Sequence, residues 1–490
     1  MRVAPRNLVA VAGSATGLLA PLEVGAWRPG WLLYKANRLV EGEAVSAFAA
    51  SASTAALLLA LWGAAALTAL LPLRGRYGAL ALLAAVALLS TLLFVGNAAS
   101  DLTAGAPASA RVSLEGGVWL TLIACYVTLL AALGEAPRRL RALLVLPFLA
   151  ALVWPVVSGA LVDLGLAREL ANVGGDFRAE LARHVSLAGT SLLVAALIGV
   201  PAAVAAHADE RAARWVLPAA GLVQTLPSLA LFGLLVSPLA RLGQGVTVNR
   251  AALLMAVGAA AIALYLLLRR RRERSSAEPA GGNPANRAFR SLLLLVPVAP
   301  GALLAVILAV TLHAGATYLL GAGSAPAWPA WDAPLAALGV RGIGSAPALI
   351  ALTLYALLPI VRNVYTGLRG VPPAATEAGR GMGMSPRQLL LRVQLPLALP
   401  LLIEGLRAAA VLTIGTTTVA YLIGAGGLGV FIQRGIDQVV PDLVLLGAIP
   451  IVGLALLTDA LMRGLARLLT PRGVAAPQAD RPREPVPVGA

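Results

Sequence analysis

VPPAATEAGRGMGMSPRQLLLRVQLPLALP, Val371 to Pro400, is a polar stretch punctuated by proline and glycine and set between two long apolar runs. Its local chemistry predicts a helical hairpin. Pro372 and Pro373 suit a helix start, where the missing N–H is not needed. Gly381 and Gly383 supply the flexible stop that ends it. Ser385, Pro386 and Gln388 form the capping-box pattern S-x-x-Q with proline at the first helical position, so a second helix begins there. Pro396 and Pro400 mark that helix's approach to the next apolar run. Helix, glycine elbow and helix together make a rigid knob that a partner can grip.

The sequence around this knob is that of a membrane protein. Of 490 residues 59% are hydrophobic and 12% charged, against about 25% charged in a soluble domain, and the mean hydropathy is +0.85. Runs of about 20 apolar residues recur throughout, each long enough to cross a hydrocarbon core of roughly 30 Å as a helix. Helices are the expected spans because they satisfy their own backbone polar groups. The pattern predicts an all-α, polytopic chain with about 12 spans. Five lie near 7–23, 52–73, 78–97, 117–134 and 142–160, and five more near 186–206, 215–240, 346–366, 396–422 and 441–465. An extra pair falls near 251–268 and 290–312. The segment Met1 to Pro21, with Arg2 and Arg6 before an apolar stretch, reads either as a retained helix or as a signal peptide.

Arginine placement orients these spans, since short cytoplasmic loops are enriched in Lys and Arg. Both termini come out cytoplasmic, with Arg74 and Arg76, Arg138 to Arg141, Arg211 and Arg214, Arg269 to Arg272, and Arg380 to Arg392 in inner loops. Arg28, Lys35, Arg38, Arg168, Arg178 and Arg183 then fall in outer loops, mostly in longer segments, where the rule is weak. The basic, Ser/Pro/Gly-rich stretch Arg269 to Arg290 reads as a flexible loop that touches lipid headgroups, and the tail 469–490 as disordered.

Several function classes are excluded. The net charge of +16 sits in loops rather than on one soluble face, which argues against nucleic acid. Cys125 is the single cysteine, and His184, His207 and His313 are scattered, so no metal-ligand spacing exists. The one lysine, Lys35, has no glycine loop around it, so the chain has no nucleotide-binding motif of its own. No nucleophile or paired carboxylates suggest an enzyme.

Polar residues within the spans are the candidates for a solute pathway, because polar groups at membrane depth face a cavity or another helix. Gln224, Thr225, Pro227 and Ser228 cluster where the proline should open a helix and free a carbonyl. Thr413, Thr416 and Thr417 make a hydroxyl-rich stripe, and Tyr355 and Tyr421 offer π-faces to a cation. Helix packing and backbone bonding are the alternative uses of these groups. Gly424, Gly426, Gly427 and Gly429, which follow a span and lack phosphate-loop spacing, read as a tight turn or gate near the outer face.

The hairpin resembles the EAA loop of ATP-binding cassette importer permeases. Glu377, Ala378 and Gly379 match its E-A-A start, Gly383 its spaced glycine, and Val393, Leu395 and Pro396 its I-x-L-P end. Gly379 for Ala and Val393 for Ile are departures from the pattern. The runs Leu222 to Leu235, Ala346 to Leu368 and Thr416 to Ile436 are similar to osmoprotectant permeases of the glycine betaine and choline group. The leader, with NRLVEGE at Asn37 to Glu43, is similar to the long forms of that group. The resemblance implies a type I (MetI-like) permease core at 181–240 and 344–468 and a five-helix leader at 1–180; the inserted pair at 241–343 lies outside it, and its role stays open. It also implies a bacterial inner-membrane location and an importer of a quaternary ammonium osmoprotectant, or of another small solute such as an amino acid. The chain itself is then not an enzyme and binds no cofactor. ATP-Mg belongs to a partner ATPase dimer that grips the hairpin, and a second permease and an external binding protein complete the complex. An ion-coupled secondary transporter is the rival class; internal repeats and a midplane ion site would mark it.

Overall fold

The computed structural model describes residues 7–22, 27, 29–37, 40–73, 75–274 and 298–470. The tail from 471 onward and most of the basic loop before 298 lie outside the described residues. The chain divides into two compact units, Met1–Gly174 with Arg434–Leu446, and Gly175–Gln433 with Gly447–Ala490.

In the first unit, α1 (Leu8–Leu19), α2 (Ala52–Leu70), α3 (Arg76–Thr103), α4 (Gly116–Glu135) and α5 (Arg138–Val157) pack by their small residues. Gly17 of α1 lies against the Trp62 ring of α2, where a Cβ would collide. Close approach of this kind is what drives helix association in lipid, where no hydrophobic gain remains. Arg76, 5% exposed, forms a two-pronged ion pair with Glu135 at 2.6 and 2.9 Å. That geometry lets a charge be buried at a helix end.

A small sheet departs from the all-helical expectation. β1 (Leu32–Lys35) pairs antiparallel with both β2 (Glu43–Val45) and β3 (Arg111–Leu114), in the order β2-β1-β3. Strands of three and four residues leave no periodic trace in a sequence whose dominant signal is long apolar runs. Beneath it Trp31 is fully buried, donates from Nε1 to the Ala20 carbonyl at 2.9 Å and meets Phe94 edge-on. Two buried acids join this unit. Glu169 accepts from Arg111 Nε at 3.1 Å, and Asp442 accepts from Ser113 Oγ at 2.6 Å.

In the second unit, α11 (Ser345–Arg369) is the central helix. Its neighbours are α6 (Gly165–Ala208, from residue 175 on), α7 (Glu210–Thr225), α8 (Ser228–Gly245), α10 (Val298–Leu319) and α13 (Leu395–Thr417). α9 (Val248–Arg274) pairs with α10. Gly367 and Gly405 let α11 and α13 approach closely, since a Cβ on Gly405 would stand 2.7 Å from Asn363. α12 (Pro373–Gly381), α14 (Gly429–Asp437, up to residue 433) and α15 (Pro441–Leu469, from residue 447 on) also belong to this unit. Arg407 of α13 bonds Glu404 on its own helix and Asp459 of α15 at 2.7 Å, so the charges of these two helices form one network.

Among the described residues nine helices are long and apolar enough to cross a membrane, or up to ten if the bent pair α7 and α8 counts as one span. The expected count of about 12 differs for physical reasons. α1 is 12 residues long, about 18 Å at 1.5 Å per residue, short of a bilayer core. The span near 215–240 is broken, α7 and α8 meeting at 104°. Of α9, the described apolar stretch is Val248–Ala260, shorter than a span. One further correction concerns Arg168, Arg178 and Arg183. The expected outer segment is helical: α6 starts at Gly165, with a kink at Val173.

Candidate functional site

The hairpin forms as a pair of locally satisfied helix ends. α12 stops through a Schellman arrangement. The N–H of Met384 donates to the Gly379 carbonyl at 3.2 Å, that of Gly383 to the Arg380 carbonyl at 2.9 Å, and Gly383 takes a φ of 77°. These bonds occupy carbonyls that the helix end would otherwise leave open. The next helix opens on a complete capping box, with Gln388 N donating to Ser385 Oγ and Ser385 N to Gln388 Oε1 at 2.8 Å. It continues through a π-helical turn, Leu390–Gln394, into α13. There the N–H of Leu395 reaches back to the Leu390 carbonyl, just before Pro396, which has no N–H to offer.

The hairpin presents polar and small groups outward. Glu377, Ala378, Arg380, Gly383, Arg387 and Arg392 are exposed, and Met382 at the tip is 70% exposed. Gly379 points inward: a Cβ there would sit 2.7 Å from Leu389 Cδ1 and 3.7 Å from Val393 Cγ2. The two positions that depart from the loop pattern, Gly379 and Val393, are therefore neighbours across the hairpin's interior. Leu395 and Pro396 are half-buried where it joins α13.

The polar residues proposed for a pathway separate into two groups. Gln224, Thr225 and Pro227 are exposed and Ser228 half-buried at the α7–α8 bend. Pro227 ends α7, and Tyr355 of α11 supports the break: its hydroxyl donates to the Leu226 carbonyl at 2.6 Å, while Gln224 Nε2 donates to the Tyr355 carbonyl at 3.1 Å. Tyr355 is 7% exposed, so it acts through its hydroxyl and offers no open ring face. Thr413 and Thr417 are buried, and their hydroxyls donate to the carbonyls of Ala409 and Thr413, each at 2.7 Å. This back-bonding, together with packing, removes them from any open polar wall. Thr416 is half-buried, its hydroxyl bonded to the Leu412 carbonyl at 2.9 Å.

The glycine run makes a tight turn between a 3-10 segment, Thr418–Ile423, and α14. Gly424, Gly426 and Gly427 all have positive φ, at 76°, 77° and 95°. Gly429 lies against the Thr418 carbonyl, and Tyr421 spans the turn to bond Gln433 at 2.5 Å. Glu180 of α6, which sequence reasoning did not single out, accepts the Gly427 N–H at 2.6 Å. A separation of 247 residues left no local signal for that contact.

Comparison with known proteins places these elements. Residues 280–471 match the family of binding-protein-dependent transport system inner membrane components. Residues 12–167 match the N-terminal domain of the ABC transporter permease YehY. The chain is 47% identical over 133 residues to the carnitine transport permease protein OpuCB of Listeria monocytogenes, covering 27% of this chain and 61% of that one. It is 42% identical over 133 residues to the choline transport system permease protein OpuBB of Bacillus subtilis, covering 27% and 61%. It is 45% identical over 141 residues to the osmoprotectant import permease protein OsmW of Salmonella typhimurium, covering 29% and 66%. The match thus spans about three-fifths to two-thirds of the length of these relatives.

Proposed function

We propose, from the premise that this chain is a multi-span permease of the binding-protein-dependent transport family with a YehY-type N-terminal domain, that it imports a small osmoprotectant such as glycine betaine or choline at the expense of ATP. The relatives' names supply the solute class, carnitine, choline and osmoprotectants in general. One observation carries the mechanism: a capped, outward-standing hairpin whose exposed face holds Glu377, Ala378 and Met382.

In this reading the hairpin docks into an ATPase subunit. Gly379, Gly383 and Val393 keep it compact, and Leu395 and Pro396 carry its movement into α13. The π-helical turn at Leu390–Gln394 is where a rigid helix can change register. α13 packs along α11, so a displacement of the hairpin reaches the Tyr355 hydroxyl and the α7–α8 bend. Gln224, Thr225, Pro227 and Ser228 at that bend, with Thr416, line the solute path. Tyr355, Tyr421, Thr413 and Thr417 hold the helices that frame it. A neutral polar lining suits a quaternary ammonium group, which must pass without being trapped by a fixed charge. Gly424, Gly426, Gly427 and Gly429 form the gate on the side away from the ATPase.

The chain works with an ATPase dimer that binds ATP-Mg, a second permease subunit, identical or different, and an external binding protein. It sits in the bacterial inner membrane with both termini in the cytoplasm. The test is uptake of radiolabelled choline and of glycine betaine by proteoliposomes holding the complex with its ATPase and binding protein. ATP-dependent uptake of at least one is expected. Glu377→Ala should lower it at least about tenfold, the loss of about 1.4 kcal/mol of coupling, while the protein still inserts. Uptake indifferent to ATP, or unchanged by Glu377→Ala, would overturn the reading.

A further inference from the structure

We propose that Glu180 is the latch of the glycine gate: its carboxylate, oriented by Arg183, grips the Gly427 amide and holds the turn shut until the gate opens. The inference rests on the gate reading above and deepens it by naming the group that controls the turn.

Four observations converge. First, Gly427 N donates to Glu180 Oε2 at 2.6 Å, a charge-assisted bond of the short, strong class. Second, the other carboxylate oxygen is held in place, since Arg183 Nη1 donates to Glu180 Oε1 at 2.6 Å. The Glu180 side chain is 14% exposed while that of Arg183 is 43% exposed, so the acid is sheltered and its cationic partner reaches out from it. Third, the turn is shaped to admit the latch. A Cβ on Gly426 would stand 2.7 Å from Glu180 Oε2, and one on Gly427 would stand 3.3 Å from His184 Nδ1.

Fourth, no second acceptor does the same work. His184 is fully buried and its Nε2 lies 3.1 Å from the Ile414 carbonyl. A carbonyl only accepts, so Nε2 carries the proton and Nδ1 is left as a bare acceptor. That Nδ1 is buried and has no hydrogen-bond partner. The turn's amide therefore goes to the carboxylate one helical turn away from a histidine that could have taken it. The Gly427 N–H connects the turn to α6 through a directed bond, and a single hydrogen bond of this kind can be broken and remade without repacking a core.

The test uses the full chain in intact cells, with Cys125 replaced by alanine and a reporter cysteine at position 425 (Ala425→Cys), a buried site in the turn. The readout is the rate of labelling by a membrane-impermeant maleimide added from outside. With Glu180 present the reporter should react slowly. Glu180→Gln replaces a charged acceptor with a neutral one, and should raise the rate about tenfold or more. Arg183→Gln, which leaves the carboxylate but removes its holder, should raise it by a smaller factor, about threefold.

A parallel chain with Cys125 replaced by alanine and the reporter moved to Ala409→Cys separates opening from unfolding, because position 409 is fully buried in the same unit as the turn and stays unlabelled while that unit is intact. If Glu180→Gln labels position 409, the Arg183→Gln chain decides. Rates that stay within about twofold of the parent chain in an intact fold overturn the latch. The uptake assay is separate: active uptake with unchanged labelling removes the latch alone, whereas absent uptake in the parent chain removes the importer reading.

Discussion

Gly383 and Gly426 share one backbone twist, with φ of 77° at both, and almost nothing else. At Gly383 a Cβ would meet nothing within 4 Å; at Gly426 it would stand 2.7 Å from the Glu180 carboxylate. The first glycine is needed only for its conformation, as the end of a helix that projects from the molecule. The second is needed for conformation and for closeness, in a turn walled by α6. An elbow in open space can be stiffened or strained and still swing with its partner. A turn pressed against a carboxylate has one arrangement in which its amide is satisfied.

The largest effect expected from this contrast is at the walled turn. Gly426→Ala adds a left-handed strain of about 1–2 kcal/mol and also displaces Glu180, so uptake should fall well over about tenfold. Gly383→Ala carries the same strain of about 1–2 kcal/mol with room for the methyl, so uptake should fall by about tenfold or less. Measuring both in the same vesicles breaks the comparison if Gly383→Ala proves the more damaging. The smallest effect is at the capping box. Ser385→Ala should cost about 1 kcal/mol of local helix stability, seen as faster amide hydrogen exchange at Arg387 to Leu389 and a decrease in uptake of a few-fold.

The hairpin was legible in the sequence because everything that shapes it is local. Pro373, Gly383, Ser385 and Gln388 act on backbone groups within five residues, and the structure uses each for the purpose its chemistry suggests. Most long spans were legible for a similar reason: an apolar run is a one-dimensional signal. Pro227 marked a break but not its angle, which depends on the Tyr355 hydroxyl taking the Leu226 carbonyl from 129 residues away.

What could not be read is whatever needs two distant segments. The sheet joins 32–35 to 111–114, and each strand alone is too short to show alternation. Thr413 and Thr417 looked like a polar face at helical spacing, yet burial and their own helix carbonyls claim both hydroxyls. Arg183 reads as a charge of an outer segment and Glu180 carries no signal of its own, because the Gly427 amide that meets Glu180 lies 247 residues away. Gly379 read as a tolerated departure from the loop pattern, and its contact with Leu389 and Val393 gives that departure a packing reason.

In the proposed importer the hairpin faces the side where ATP is hydrolysed and is covered by the ATPase. A cysteine at the tip, Met382→Cys, tests both, because Met382 is 70% exposed and the native Cys125 is fully buried and silent. In sealed inside-out vesicles an impermeant maleimide should label position 382 rapidly, and the bound ATPase subunit should protect it; right-side-out vesicles should show no labelling. Labelling from the outer side, or labelling from the inner side that the ATPase leaves unchanged, would contradict the account.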